Sequence, residues 1–216
     1  QSLYAKNQEF VGYSDKLKAE NEELKQKNSE LEQKLREFEI VKSENETLKE
    51  YVNLKEKYNN YESIPSYVIN KEISNFGSTI IINVGKKDGV EPNMTVISDK
   101  GLVGYIISTT NTTAKVQTII DTATAVSATI TTSRDSILVR GTLDANYTLK
   151  ATYIPTDAKL LQGDIIETSG IGGIYPKGIK IGTIKEIINT KNITDRYAII
   201  ETAVDFSKLE TVLVIK

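Results

Sequence analysis

Phe10, Leu17, Leu24, Leu31 and Phe38 fall seven apart in a segment otherwise built mainly from Glu, Lys, Gln, Asn and Ser. Seven residues are close to two turns of an α-helix, so the five side chains form one narrow stripe. That stripe is too thin to bury against a broad globular core, and it fits the seam of two supercoiled helices. The other seam position, four residues on from each, reads Ser14, Asn21, Asn28 and Leu35. Asparagine there weakens the seam but pairs across a parallel dimer, fixing register and favouring two strands. A lone surface helix would account for the leucines and leave both asparagines unexplained. The pattern therefore predicts a dimerising stalk.

Within the stalk, Ala19-Glu20-Asn21-Glu22-Glu23-Leu24-Lys25-Gln26 returns as Ser43-Glu44-Asn45-Glu46-Thr47-Leu48-Lys49-Glu50. The offset is three heptads plus three residues, a stammer that overwinds the supercoil locally. It carries the seam from Phe38 to Val41, then to Asn45, Leu48 and Val52. Tyr51, Leu54, Tyr58 and Tyr61 form a second stripe, so the last turns have two candidate faces. Residues 14 to 62 as one helix would measure roughly 75 Å, the length of a spacer.

Composition changes abruptly near Pro65. Of 13 glycines only Gly12 precedes it, and all four prolines lie at or after it, which marks a domain boundary. Acids and bases nearly balance on both sides, and the net charge of −2 offers nothing to nucleic acid or to an anionic membrane surface. Cysteine and histidine are both absent. Disulfides and Cys/His zinc sites are thereby excluded, as are the two commonest ways of activating a nucleophile. Lack of cysteine fits an extracytoplasmic bacterial protein. No apolar run of about 18 residues occurs, so a membrane anchor, if there is one, is expected in a segment outside this chain.

Beyond Ser63-Ile64-Pro65-Ser66 the helical period gives way to short β segments. Ile80 to Val84 runs into Gly85-Lys86-Lys87-Asp88-Gly89, where Asp-Gly supplies a tight turn. Leu102 to Ile107, Lys115 to Ile120 and Ala123 to Thr132 are rich in Ile, Val and Thr. Tyr147, Leu149, Ala151 and Tyr153 alternate with polar residues, the mark of a half-buried strand. Ile165-Ile166, Ile179 to Ile188 with Gly182 as a bulge, Tyr197 to Val204 and Thr211 to Ile215 complete the set. Roughly ten to twelve strands at this spacing predict closed barrels or a sandwich, as one barrel or two small ones.

The densest glycine cluster is Thr168-Ser169-Gly170-Ile171-Gly172-Gly173-Ile174-Tyr175-Pro176-Lys177-Gly178. A phosphate cradle would need a helix to follow, and Tyr-Pro-Lys-Gly and a strand follow instead. Ser-Gly-x-Gly-Gly resembles the nucleophile loop of a barrel protease, yet Ser169 has no histidine to take its proton, and no spacing supports a lysine base. What remains is a multi-turn loop needing positive φ, with Ile171, Ile174 and Tyr175 packed inward or exposed to a partner. The aspartates, Asp88, Asp121, Asp144, Asp157, Asp164, Asp195 and Asp205, read mostly as turn residues, without calcium-loop spacing. No cofactor and no metal site are expected.

Several of these runs occur together and in one order: Gly85-Lys86-Lys87-Asp88-Gly89-Val90 through Met94-Thr95-Val96, Gly101-Leu102-Val103-Gly104, Tyr153-Ile154-Pro155-Thr156-Asp157-Ala158, Gly163-Asp164, the glycine cluster, and Gly182-Thr183-Ile184. In this the chain resembles the MreC family of bacterial rod-shape-determining, cell-elongation proteins. Thr-Ser-Gly-x-Gly-Gly followed by Pro-x-Gly is the most specific piece. The resemblance implies a short cytoplasmic tail and one membrane-spanning helix, both absent here, then a coiled coil and two six-stranded β-barrels. Those barrels resemble the chymotrypsin type without its catalytic groups. By that analogy residues 1–62 are the stalk, 66–97 and 152–216 the first barrel, and 98–151 a second barrel inserted into it. It also implies a non-enzymatic scaffold of the elongation machinery. Such a scaffold binds and activates a class B penicillin-binding protein, a peptidoglycan synthase, with MreD and RodA nearby.

Self-association is thus expected through Phe10, Leu17, Asn21, Leu24, Asn28, Leu31, Leu35, Phe38, Val41, Asn45 and Leu48, and partner contact through Ile171, Ile174 and Tyr175. Two rival readings remain on the residues themselves. One is a lysine-assisted serine hydrolase acting through Ser169; the other is a trimeric coiled-coil adaptor or fibre protein.

Overall fold

The computed structural model describes residues 2–57, 61–74, 77–190, 192 and 195–216, with helix side chains from 12–49 and 52. The chain divides into two compact units, one ending at Glu50 and one running from Tyr51 to Lys216.

A single α-helix, α1, covers Ser2–Lys57. Absence of proline and a solitary glycine allow it to run through the stammer unbroken. Ion pairs Lys25–Glu22 (3.2 Å) and Lys27–Glu23 (2.7 Å) lie on its exposed surface, each contributing about 0.3 kcal/mol. The described apolar residues of the heptads are also exposed: Leu31 is 62% and Phe38 64% accessible. Asn21, Asn28 and Asn45 are exposed too. The side chains of Phe10, Tyr51 and Leu54, and all of Tyr58, lie outside the described residues.

Beyond the helix the described residues form twelve strands: β1 Ser63–Ser74, β2 Gly77–Ile82, β3 Thr95–Ile97, β4 Leu102–Thr109, β5 Ala114–Thr118, β6 Ala125–Ile130, β7 Ser136–Gly141, β8 Leu149–Thr152, β9 Ile165–Thr168, β10 Lys180–Ile188, β11 Tyr197–Thr202 and β12 Thr211–Ile215. They close into two six-stranded antiparallel barrels, in the order β1-β12-β3-β4-β5-β2 and β10-β11-β8-β7-β6-β9. Alternation builds the cores. Ile80 and Ile82 of β2 with Ala114 and Val116 of β5 fill the first, and Val126, Ala128 and Ile130 of β6 with Ala198 and Ile200 of β11 fill the second. Register shifts after Val68, Ile106, Lys180 and Ile184 bend the sheets towards closure. The bulge expected at Gly182 is there. Its missing side chain matters, because a Cβ would meet the Glu201 carbonyl at 2.1 Å.

One barrel is inserted into the other, but not at the expected boundaries. The insertion is β6–β11, residues 125–202, in place of 98–151. The first barrel is 63–118 with 211–215. The reason is local pairing. β4 folds back on β3 through the Ser98–Gly101 turn and β5 pairs with β2, which uses residues 102–118 to close the first barrel. The alternating run from Tyr147 to Tyr153 also yields a shorter strand, 149–152. Tyr147 and Tyr153 have φ of 53° and 55°, which ends extension at both sides and leaves Tyr153 80% exposed.

The chain crosses between barrels at Ile119 to Thr124, where a buried polar cluster holds it. Asp121 accepts hydrogen bonds from the amides of Ser78 and Ala123, both 2.7 Å, and the Thr118 hydroxyl donates to Ser78 Oγ at 2.7 Å. Backbones approach closely along the same seam. A Cβ on Gly101 would meet the Lys180 carbonyl at 2.3 Å, and one on Gly141 the Ile120 carbonyl at 2.0 Å. Glycine is the residue that permits both contacts.

Candidate partner-binding site

The glycine cluster connects β9 to β10. Gly170, Gly172, Gly173 and Gly178 all have positive φ (77–97°), conformations that cost other residues about 1 kcal/mol or more. Thr168, fully buried, anchors both ends. Its carbonyl accepts from the Gly178 amide at 2.9 Å, its Oγ1 accepts from the Ile179 amide at 2.9 Å, and the same hydroxyl donates to the Pro176 carbonyl.

Ser169 is part of this anchoring. Its Oγ donates to the Ser127 carbonyl at 3.0 Å and accepts from the Ile171 amide at 3.2 Å, an ST-turn that fixes the loop's departure from β9. The aspartates likewise cap backbone amides: Asp88 takes Gly85 N–H (2.9 Å), Asp144 Thr148 N–H (2.7 Å), Asp164 Leu161 N–H (2.9 Å) and Asp205 Ser207 N–H (3.0 Å).

The three expected contact residues part company. Ile171 is 65% exposed and Ile174 is 38% exposed, both on the loop's outer face. Tyr175 is turned inward at 7% exposure, its ring edge-on to Tyr105 with centroids 6.2 Å apart. Of the two orientations open to it, Tyr175 takes the inward one, while its edge still borders the cleft beside the loop. Its hydroxyl has no hydrogen-bond partner among the described residues; burial pushes the phenol's pKa well up, and Tyr105 adds to the shift.

Beside the loop lies a cleft of about 570 Å³, bordered by Pro92, Met94 and Thr95 of the first barrel and by Ile174, Pro176 and Lys177 of the second. Met94 and Thr95 belong to the run Met94-Thr95-Val96, but nothing in the sequence places them beside this loop, which they reach from about eighty residues away through barrel closure.

A long helix followed by two closed six-stranded antiparallel barrels, one inserted into the other, with its conspicuous serine held in a turn, defines a double-barrel protein with an N-terminal helix. Residues 68–216 match the family described as the rod shape-determining protein MreC, barrel core, and the chain belongs to that family. It is a family of cell-shape-determining proteins.

Relatives named as cell shape-determining protein MreC include that of Listeria monocytogenes, 32% identical over 175 residues, covering 80% of this chain and 59% of the relative. That of Bacillus subtilis is 32% identical over 182 residues, covering 79% of this chain and 62% of the relative. The chain thus spans about three-fifths of the length of these relatives. Among solved structures, an MreC superposes with TM-score 0.76 at 23% identity, covering 82% of this chain and 99% of that one. Listeria monocytogenes MreC superposes with TM-score 0.65 at 30% identity, covering 88% and 95%. The Helicobacter pylori MreC solved in complex with penicillin-binding protein PBP2 has the same fold, with TM-score 0.56 at 17% identity, covering 72% and 99%.

Proposed function

We propose that this chain is the extracytoplasmic part of a dimeric, membrane-tethered scaffold of the cell-elongation machinery, and that it maintains rod shape by binding and activating a class B penicillin-binding protein. MreD and RodA are its neighbours in this reading. Membership of the shape-determining family carries the proposal, and the Helicobacter pylori complex with PBP2 supports the choice of partner. No helix among the described residues is long and apolar enough to cross a membrane; the tether in this reading is a separate membrane-spanning segment of the protein.

The exposed stripe from Leu17 to Leu48 supports pairing through the stalk, because a polar helix of this kind gains its stability from burying such a seam. The stalk spaces the barrels from the membrane, and Ile171 and Ile174 present apolar surface to the partner. Pairing places two binding surfaces together, so weak contacts act through avidity.

The test is a pull-down of detergent-solubilised cell envelope with the purified chain, with fluorescent penicillin identifying what is retained. Recovery of a class B penicillin-binding protein is expected. Recovery of none would contradict the proposal, as would labelling by a serine-hydrolase reagent that Ser169→Ala abolishes.

A further inference from the structure

The glycine loop is fixed at its ends and lightly held between them. Thr168 ties Gly178 and Ile179 to the end of β9, its hydroxyl also holds the Pro176 carbonyl, and Ser169 is bonded to Ser127 of β6. Over residues 170–175, one hydrogen bond among the described residues reaches another element, from Thr95 Oγ1 to the Ile174 carbonyl. Gly170 to Ile174 are exposed, and Tyr175 is the one buried residue between Thr168 and Ile179. A Cβ on Gly172 or Gly173 would meet nothing within 4 Å, so the middle of the loop has room to move. The cleft of about 570 Å³ runs along Gly170, Gly173, Ile174 and Tyr175, so the inner edge is not packed throughout.

What seats the loop is therefore one hydrogen bond and one side chain, and that side chain is imperfectly housed. The Tyr175 ring gains from burial against Tyr105, yet its buried hydroxyl has no partner among the described residues. A hydroxyl in that position has given up its hydrogen bonds to water. The seated loop bears this cost, and a loop with Tyr175 in solvent does not. The ring pulls inward while the hydroxyl pulls outward.

We propose that residues 170–175 form a two-position strap. Seated, it keeps Tyr175 beside Tyr105. Lifted about Gly170 and Pro176, it releases the Thr95 bond, carries Tyr175 into solvent and uncovers Thr95. The lifted strap presents Tyr175 together with Ile171 and Ile174, and the partner prefers it because Tyr175 is available only there. The inference rests on the reading of this chain as a partner-binding scaffold and adds the step by which the contact surface is presented.

The chain has no cysteine, so a single introduced thiol reports the motion without background. Thr95→Cys places it at a position 2% exposed that contacts the strap. Ala114→Cys, 1% exposed in the core of the same barrel, is the reference that reacts only when the barrel unfolds. Under native conditions the Thr95→Cys thiol is expected to react with a disulfide reagent about a hundredfold faster than the reference, or more. Adding Tyr175→Phe removes the stranded hydroxyl from the seated state. It is expected to slow labelling of the Thr95→Cys thiol by about fivefold and to leave the reference unchanged. Should Thr95→Cys fail to fold, Tyr175→Cys carries the thiol on the strap itself, and adding Thr95→Val is expected to speed its labelling about tenfold.

Equal rates for the two thiols would overturn the inference, since opening would then be unfolding. So would Tyr175→Phe that leaves labelling unchanged or hastens it, or Thr95→Val without effect on the Tyr175→Cys thiol. The envelope pull-down separates the two levels. Tyr175→Phe is expected to retain about fivefold less penicillin-binding protein than the parent, because the competent strap position is rarer. Equal retention would refute selection of the lifted strap and leave the scaffold reading intact. If the parent retains none, the scaffold reading falls, and the labelling rates alone decide whether the strap moves.

Discussion

The hydroxyl of Thr95, in β3 of the first barrel, donates a 2.7 Å hydrogen bond to the carbonyl of Ile174, in the glycine loop of the second. Thr95 is buried, and Ile174 precedes the inward-turned Tyr175. One bond thus holds the loop carrying Ile171 and Ile174 against the other barrel. Thr95→Val keeps the shape and leaves the carbonyl without its donor, so a loss of about 1–2 kcal/mol is expected in urea unfolding. Thr95→Ser should recover most of it. Equal stability of Thr95→Val and the parent would show that the bond does not hold the loop.

Tyr175 gives a pH dependence of known sign. Burial, with Tyr105 adding to it, raises its pKa in the folded chain, while the unfolded chain ionises near pH ~10. A raised folded pKa means that stability is intact below the unfolded value and is lost as pH climbs above it, by roughly 1.4 kcal/mol per pH unit. Tyr175→Phe removes this alkaline decline. Because the hydroxyl has no partner among the described residues, it should also change neutral-pH stability by no more than about 1 kcal/mol. Denaturant melts at neutral and alkaline pH check both points.

The loop's two faces should separate under charge substitution. Ile171→Asp acts on an exposed side chain and is expected to shift stability by no more than about 0.5 kcal/mol while reducing retention of the partner. Tyr175→Asp buries an unpaired carboxylate and is expected to cost about 3 kcal/mol or more. Calorimetry alongside the pull-down distinguishes them; a large stability loss from Ile171→Asp would mean that the residue is part of the core.

Much of this was readable in the residues because it depends on local chemistry. The helix followed from the heptads and the lack of breakers, the Lys86–Asp88 turn from Asp-Gly, and the bulge at Gly182 from an isolated glycine in a strand. What escaped depends on which strand meets which. Short Ile/Val/Thr runs do not name their partners, and the family analogy puts the inserted barrel at 98–151, whereas strand pairing places it at 125–202. The same limit hid Thr95, Met94 and Lys216, which reach the cleft only when the barrels close. Tyr175 was legible as a loop residue of either orientation, and only the Tyr105 ring settles that it points inward.

Asn21 and Asn28 are expected to trade stability for specificity. Asn21→Leu with Asn28→Leu should raise the melting temperature of the stalk while admitting higher oligomers, because leucine buries more apolar surface but no longer dictates two strands. Circular dichroism melts with light scattering report both quantities. A strictly dimeric product of lower stability would refute this role for the asparagines.

Sedimentation equilibrium of the unmodified chain, over a concentration range wide enough to fit an association constant, tests the central claim most directly. The account requires a single monomer–dimer equilibrium that Leu24→Asp with Leu31→Asp abolishes while the barrels stay folded. A trimer, or a monomer at every concentration, would contradict it.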